Sequence, residues 1–181
     1  MSSKSTSRRQ PRLEAIRDAL AKATEYLSAH PDEAVYTDSV ATAVLEEGLR
    51  ISVTGPAGES LVMDMPPSVG GAGSAPSAGW MLRAATAGCV ATLVAMRAAQ
   101  LGHRLRSLEV VVDSVSDDRG ILGIDPSTPA GPLSARIAVR LSAGGASEEE
   151  LASLATWAVH HCPVADAVRR AIPVTVEVQV A

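Results

Sequence analysis

The chain has no phenylalanine, and its 181 residues include only two tryptophans and two tyrosines. That scarcity removes the usual platform on which single-stranded nucleic acid stacks. It also dictates the core. Hydrophobic residues make up 46% of the chain, so the interior must be filled by Ala, Val, Leu, Ile and Met. Side chains this small bury little area each, and pairing with a second copy is the natural remedy for a thin core. An excess of positive charge is missing too: 16 Lys and Arg face 20 Asp and Glu, a net charge of −4. No nucleic-acid partner is expected from that balance. The one basic cluster, Lys4, Arg8, Arg9, Arg12 and Arg17, reads as a solvated tail.

Long apolar runs are lacking as well. None reaches the roughly 20 residues of a membrane helix, and the polar N-terminus has no signal-peptide core. We expect a cytoplasmic protein with no membrane partner. Only two cysteines occur, Cys89 and Cys162. In a reducing compartment such residues are reactive or simply buried, rather than a permanent staple. No Gly-x-Ser-x-Gly elbow supports a serine nucleophile. The Gly-rich stretch 66–76 is not followed by the Lys-Ser/Thr of a phosphate loop. No cofactor is expected.

Along the chain, Leu13, Ile16, Leu20, Ala23 and Leu27 recur at helical spacing after Pro11, and His30-Pro31-Asp32 ends that helix. Its single apolar stripe suits packing on its own domain or on a partner. Strands are expected at 39–45, 49–53 and 61–65, separated by Glu46-Glu47-Gly48 and Gly55-Pro56-Ala57-Gly58. Ser77 suits an N-cap for a long helix over 78–101 that is apolar on nearly all faces. Further strands are expected at 104–116, 120–124 and 133–142. Ser147 and Glu150 fit a capping box for a helix to His160. Pro163 opens a short helix to about 171, and Val174, Val176, Val178 and Val180 read as a last strand. The order predicts an α+β fold with antiparallel sheets and a long buried central helix.

The two cysteines stand in different helical contexts. Cys89 lies mid-helix among small neighbours, where burial alone would raise its pKa, so a nucleophilic role needs a positive partner. Cys162, in His160-His161-Cys162-Pro163, sits at a helix start that favours a thiolate, with histidines able to add charge or move a proton. The bland alternative is two small buried hydrophobes, and 73 positions separate them. Soft metal ligands are present in the same residues, but adjacent side chains rarely point at one ion and no Cys-x-x-Cys spacing occurs. No metal is expected.

The stretch Gly70-Gly71-Ala72-Gly73-Ser74-Ala75-Pro76-Ser77, followed by an apolar helix carrying Ala87-Gly88-Cys89, resembles the signature of OsmC/Ohr proteins. Cys162-Pro163-Val164-Ala165-Asp166-Ala167-Val168 resembles their second-cysteine motif. The resemblance covers roughly residues 37–181. It implies an OsmC-like domain over 35–181, preceded by a tail and extra helix over 1–34. It further implies an intertwined homodimer with each site built from both subunits. By the same resemblance, Cys89 would attack an organic hydroperoxide, Cys162 would condense with it to a disulfide, and a dithiol reductant would reopen the bond. The activity implied is thiol-dependent peroxidase chemistry in oxidative stress.

One departure stands out. The peroxidase branches carry a Glu ten residues before the first cysteine, paired with an activating Arg. Here that place is Gly79, beside Trp80, and no carboxylate occurs from Met65 to Cys89. Arg50 is the candidate for the Arg. Arg83, six positions before Cys89, is a second cation, but lies about 120° away around a helix. The alternative reading is therefore a non-catalytic module of the same fold, binding a small lipophilic ligand near Gly79 and Trp80.

Overall fold

The computed structural model describes residues 10–180, with side chains from Leu13 onward. Of the basic N-terminal cluster, Lys4, Arg8 and Arg9 lie outside these residues, as does the side chain of Arg12. Two compact units divide the chain: Ala19–Ala84 forms one, and the residues from Ala85 onward, with the chain up to Asp18, form the other. Helix α1, Gln10–Ala29, crosses the boundary. Its apolar stripe is only partly covered: Leu13 and Leu20 are half-buried, while Ile16 and Leu27 remain exposed.

The Ala19–Ala84 unit carries an antiparallel meander of β1, Thr42–Glu47, β2, Arg50–Thr54, and β3, Ser60–Met63. Its register sets Ala43 opposite Val53 and Val53 opposite Leu61. The turns fall where Gly48 and Gly58 supply positive φ values of 59° and 90°, which cost a glycine nothing. Every residue of β1 is exposed. After β3 the chain enters a Gly- and Pro-rich loop, folded back so closely at Gly71 that a Cβ there would sit 1.9 Å from the Met65 carbonyl oxygen. Only glycine fits that approach.

The other unit is built around α2, Ala78–Gln100, of which it holds the part from Ala85. Thr86, Val90, Val94 and Ala98 are buried at a spacing of four, one stripe along the helix. The expectation of burial on nearly all faces is not met within one chain, since Leu82, Ala85 and Ala95 are exposed. By length and composition α2 is also apolar enough to cross a membrane, contrary to the expectation that no segment would be. The same test is passed by the core helix of a soluble fold, and α2's buried stripe belongs to a protein core.

Strands β4, Arg104–Val115, and β5, Ser134–Gly144, form an antiparallel ribbon. Leu108 opposes Leu141 and Val110 opposes Val139, all packed on the core. The alternate residues pair as ions on the outer face, Glu109 with Arg140 and Asp113 with Arg136. Helix α4, Glu148–His160, starts with the expected capping box between Ser147 and Glu150 and adds Leu154 and Ala158 to the core. Helix α5, Pro163–Arg170, follows. The buried cluster is Val90, Val94, Ala98, Leu154, Ala158 and Cys162, with no aromatic ring among its members.

Two expected strands are absent. Residues 120–124 do not form one: Asp117 accepts the Arg119 amide and caps a single helical turn, α3, Asp118–Ile121. Local capping by a short acidic side chain overrides the strand pattern there. Residues 174–180 carry no strand either, and Val174, Val176, Val178 and Val180 are 78–92% exposed. Alternation supplies a face, but a strand also needs a neighbour for its N–H and C=O groups.

Candidate active site

The site grows from the junction of α4 and α5. Helix α4 ends at His160, His161 caps it, and Cys162 turns the chain into α5 as its N-cap. Pro163 occupies the first helical position, where its fixed φ fits and its missing N–H is no loss. The Cys162 sulfur accepts a hydrogen bond from the Ala165 amide at 3.4 Å. It is 0% exposed and belongs to the core cluster. Cys89, on α2, is half-buried and packs against that same cluster.

The two thiols, 73 positions apart in sequence, pack at the same buried cluster. Burial pushes the Cys89 pKa up, and a hydrogen bond with the Cys162 thiol, which favours protonated Cys89, raises it further. A hydrogen bond from the Val164 backbone amide pulls the other way. Both cysteines are free thiols. Cys89 is the more accessible of the two, and Cys162 the enclosed one.

The histidines beside Cys162 do not converge on the sulfurs as a ligand set. His161 stacks on Trp157, ring centroids 4.1 Å apart, and its Nδ1 lies 2.8 Å from the Trp157 carbonyl oxygen. The guanidinium of Arg97 lies 4.9 Å from the centre of the same indole. Among the described residues, no group of three or more His, Cys, Asp or Glu side chains could hold a metal ion. Trp157, which anchors this stack beside the cysteine pair, was not singled out from the sequence. Its position one turn before His161 was the available signal.

Arg50, Gly79 and Trp80 belong to the Ala19–Ala84 unit. Arg50 donates from Nε to Glu46 at 2.8 Å and from Nη1 to the Ser74 hydroxyl at 2.7 Å. Ser74 in turn donates its hydroxyl and its amide to Asp64, at 2.8 and 2.9 Å. Asp64 is 3% exposed. The Ser74 amide and hydroxyl, with the Met65 and Ala72 amides, hold its carboxyl below the usual carboxylate range against the effect of burial. The Glu46–Arg50–Ser74–Asp64 chain thus ties β2 to the Gly-rich loop. A cavity of about 330 Å³ opens beside it, lined by Arg50, Asp64, Gly71 and Ser74 among others. Asp64 escaped sequence reasoning because nothing in its own neighbourhood marks the loop ten residues on as its partner. At Gly79 a Cβ would lie 3.9 Å from an Arg83 guanidinium nitrogen. Trp80 is 50% exposed.

A sequence profile described as "OsmC-like protein" matches residues 71–177. The chain belongs to the OsmC-like family. Its fold is that of solved relatives at low identity. An OsmC-like protein from Mycoplasma pneumoniae superposes with a TM-score of 0.62 at 14% identity, over 75% of this chain and 89% of that one. An OsmC-like protein of unknown function from Vibrio cholerae gives 0.61 at 11% identity, over 73% and 94%. An organic hydroperoxide resistance protein OsmC from Legionella pneumophila gives 0.55 at 20% identity, over 75% and 91%. No curated protein matches the chain by sequence. The antiparallel sheets and long helix of this OsmC-like chain are therefore the family's architecture.

Proposed function

We propose that this OsmC-like protein is a thiol-dependent peroxidase that reduces organic hydroperoxides, with Cys89 as nucleophile and Cys162 as resolving residue. The observation that carries the reading is the packing of both thiols, 73 positions apart in sequence, on one buried cluster. The Legionella relative's description as an organic hydroperoxide resistance protein supports the choice of substrate class.

The Cys89 thiolate attacks one peroxide oxygen. A sulfur–oxygen bond forms, the oxygen–oxygen bond breaks, and the alkoxide leaves with a proton as an alcohol. Cys162 then attacks the Cys89 sulfenic acid, forming the disulfide and releasing water. An external dithiol supplies two electrons and two protons to restore both thiols. Arg50 is the residue proposed to supply positive charge at the assembled site. In one chain that charge is engaged by Glu46 and Ser74. The working form is a cytoplasmic homodimer. The exposed β1, the unpaired C-terminal valines and the open sides of α2 support an assembly that covers them.

Loss of free thiol on titration with cumene hydroperoxide, with mass spectrometry of the product, tests this. Stoichiometric Cys89–Cys162 disulfide, abolished in Cys89→Ser, is the expected result. Two thiols that persist through the titration would refute the reading. One observation favours a second function in that event: the pKa of Cys89 is raised rather than lowered, as in a site that binds rather than reacts. Saturable quenching of Trp80 by a lipophilic ligand would then identify a binding module.

A further inference from the structure

The turn after β1 makes Arg50 the first residue of β2, with its guanidinium held at two of three nitrogens. Nε donates to Glu46 at 2.8 Å and Nη1 to the Ser74 hydroxyl at 2.7 Å. Among the described residues Nη2 has no partner. The two anchors differ in kind. The Glu46 pair joins two long side chains open to solvent, and such a pair contributes little in water. Ser74 is a short side chain on a loop whose path is fixed.

The Ser74 hydroxyl has one proton, and it is committed to Asp64 Oδ2 at 2.8 Å. The Ser74 amide reaches the same oxygen at 2.9 Å, and the Met65 amide reaches Oδ1 at 2.8 Å. Asp64 is 3% exposed. An ionised carboxylate only accepts and a guanidinium only donates. The hydroxyl between them must give its proton to Asp64 and present a lone pair to Arg50, so the chain has one polarity. Donation to a buried carboxylate also makes the hydroxyl oxygen a stronger acceptor. Two glycines bring the partners together. Gly73, at φ 62°, donates its amide to the Met65 carbonyl oxygen at 3.0 Å, and Gly71 passes that same oxygen too closely for any Cβ.

We infer that Asp64, acting through the Ser74 hydroxyl, is the positioning residue of Arg50. The relay fixes the plane of the guanidinium and leaves Nη2 as the donor for an anion. This rests on the reading of Arg50 as the positive charge at the assembled site. In the resemblance the orienting task belongs to a Glu at the place of Gly79. Here a carboxylate 15 positions earlier takes it over, with a hydroxyl interposed. Arg50 and Asp64 line one cavity of about 330 Å³, room enough for a small anion.

Ser74→Ala separates this role from a merely structural one, because the Ser74 and Met65 amides still bind Asp64 and hold the loop. The measurement is rotation of the Arg50 guanidinium about Nε–Cζ, which exchanges Nη1 with Nη2. It is read by NMR on protein with 13C- and 15N-labelled arginine, the signal assigned from Arg50→Lys. Slow rotation is expected in the parent. In Ser74→Ala it should be roughly tenfold faster, the size of one charge-assisted hydrogen bond, and Ser74→Thr should restore the parent rate. Asp64→Asn, which keeps Ser74 but removes the charge behind it, should speed rotation as well. Parent-like rotation in Ser74→Ala or in Asp64→Asn overturns the inference. If amide exchange over residues 64–76 shows that either variant loosens the loop, the shape-matched pair Ser74→Thr and Ser74→Val decides. Equal rotation in those two is a refutation.

A separate arm reads the thiol, as the rate of Cys89 alkylation by iodoacetamide against pH, by peptide mass spectrometry. Arg50→Gln and Ser74→Ala should both displace the profile to higher pH. Displacement by Arg50→Gln but not by Ser74→Ala overturns the positioning role. A profile unmoved by Arg50→Gln refutes the reading of Arg50 as the cation of the thiol site, with the rotation rates still deciding whether Asp64 positions it.

Discussion

Leu154→Ala tests both the core and its grip on the candidate site. Leu154 is 2% exposed and packs with Val90, Val94, Ala98, Ala158 and Cys162. The substitution removes three buried carbons, about 2.4 kcal/mol of transfer free energy at ~0.8 kcal/mol each. A cavity term adds to this in proportion to how poorly the site collapses. Two of the neighbours are alanines, which have no rotamers with which to fill the space. A total loss of about 3–4 kcal/mol follows, a large share of the roughly 5–15 kcal/mol that holds a domain folded. Urea denaturation at fixed protein concentration, with both thiols reduced, measures it. In the same variant Cys162, fully enclosed in the parent, should react with a thiol reagent much faster. A loss below about 1 kcal/mol, with Cys162 still protected, would refute the account of this cluster as a tightly packed core.

Three further outcomes are expected. Ser147→Ala removes the N-cap of α4 and one half of its capping box, and should cost about 1 kcal/mol with a melting temperature lower by a few degrees; calorimetry checks it. Gly71→Ala drives a Cβ into the Met65 carbonyl oxygen, so the Gly-rich loop must move, and amide hydrogen exchange over residues 64–76 should rise sharply. The lowered pKa of Asp64 means its ionised form stabilises the native state. That contribution is complete above the ordinary value of 3.8 and is lost as pH falls below it through the native value. In Asp64→Asn the acid dependence of melting should flatten in that window, and an unchanged slope would contradict the assignment.

The parts of the fold legible in the sequence are those fixed by local chemistry. Gly48 and Gly58 marked their turns, Ser147 and Glu150 their capping box, and Pro163 the start of α5. The meander of β1, β2 and β3 followed from alternation bounded by such turns. Local signals misled where a second local option existed, as at Asp117, whose side chain caps a turn inside an apolar run. They also failed where pairing depends on a neighbour, as for residues 174–180. The candidate site divides in the same way. Cys162 as an N-cap was readable from Pro163, whereas its meeting with Cys89 was not, because sequence spacing carries no distance. The backbone donor at Ala165, which reaches the Cys162 sulfur, has no side-chain signature at all. Nor does the Arg50–Ser74–Asp64 chain, in which each member is an ordinary polar residue until the loop folds back.

The span between the two sulfurs has a thermodynamic consequence. A bond joining them would close a loop of 73 residues, restricting the unfolded chain by an amount worth about 4 kcal/mol in the chain-entropy account. Oxidised and reduced forms would then differ in resistance to unfolding and to proteases by a factor approaching a thousand in the folding equilibrium. Linkage runs the other way as well. Whatever loosens the fold lowers the effective concentration of one thiol at the other, so each lesion in the Ala- and Val-rich interior would make the bond easier to reduce. The redox potential of such a pair is a property of the whole unit, set by α2, α4 and the ribbon that spans them.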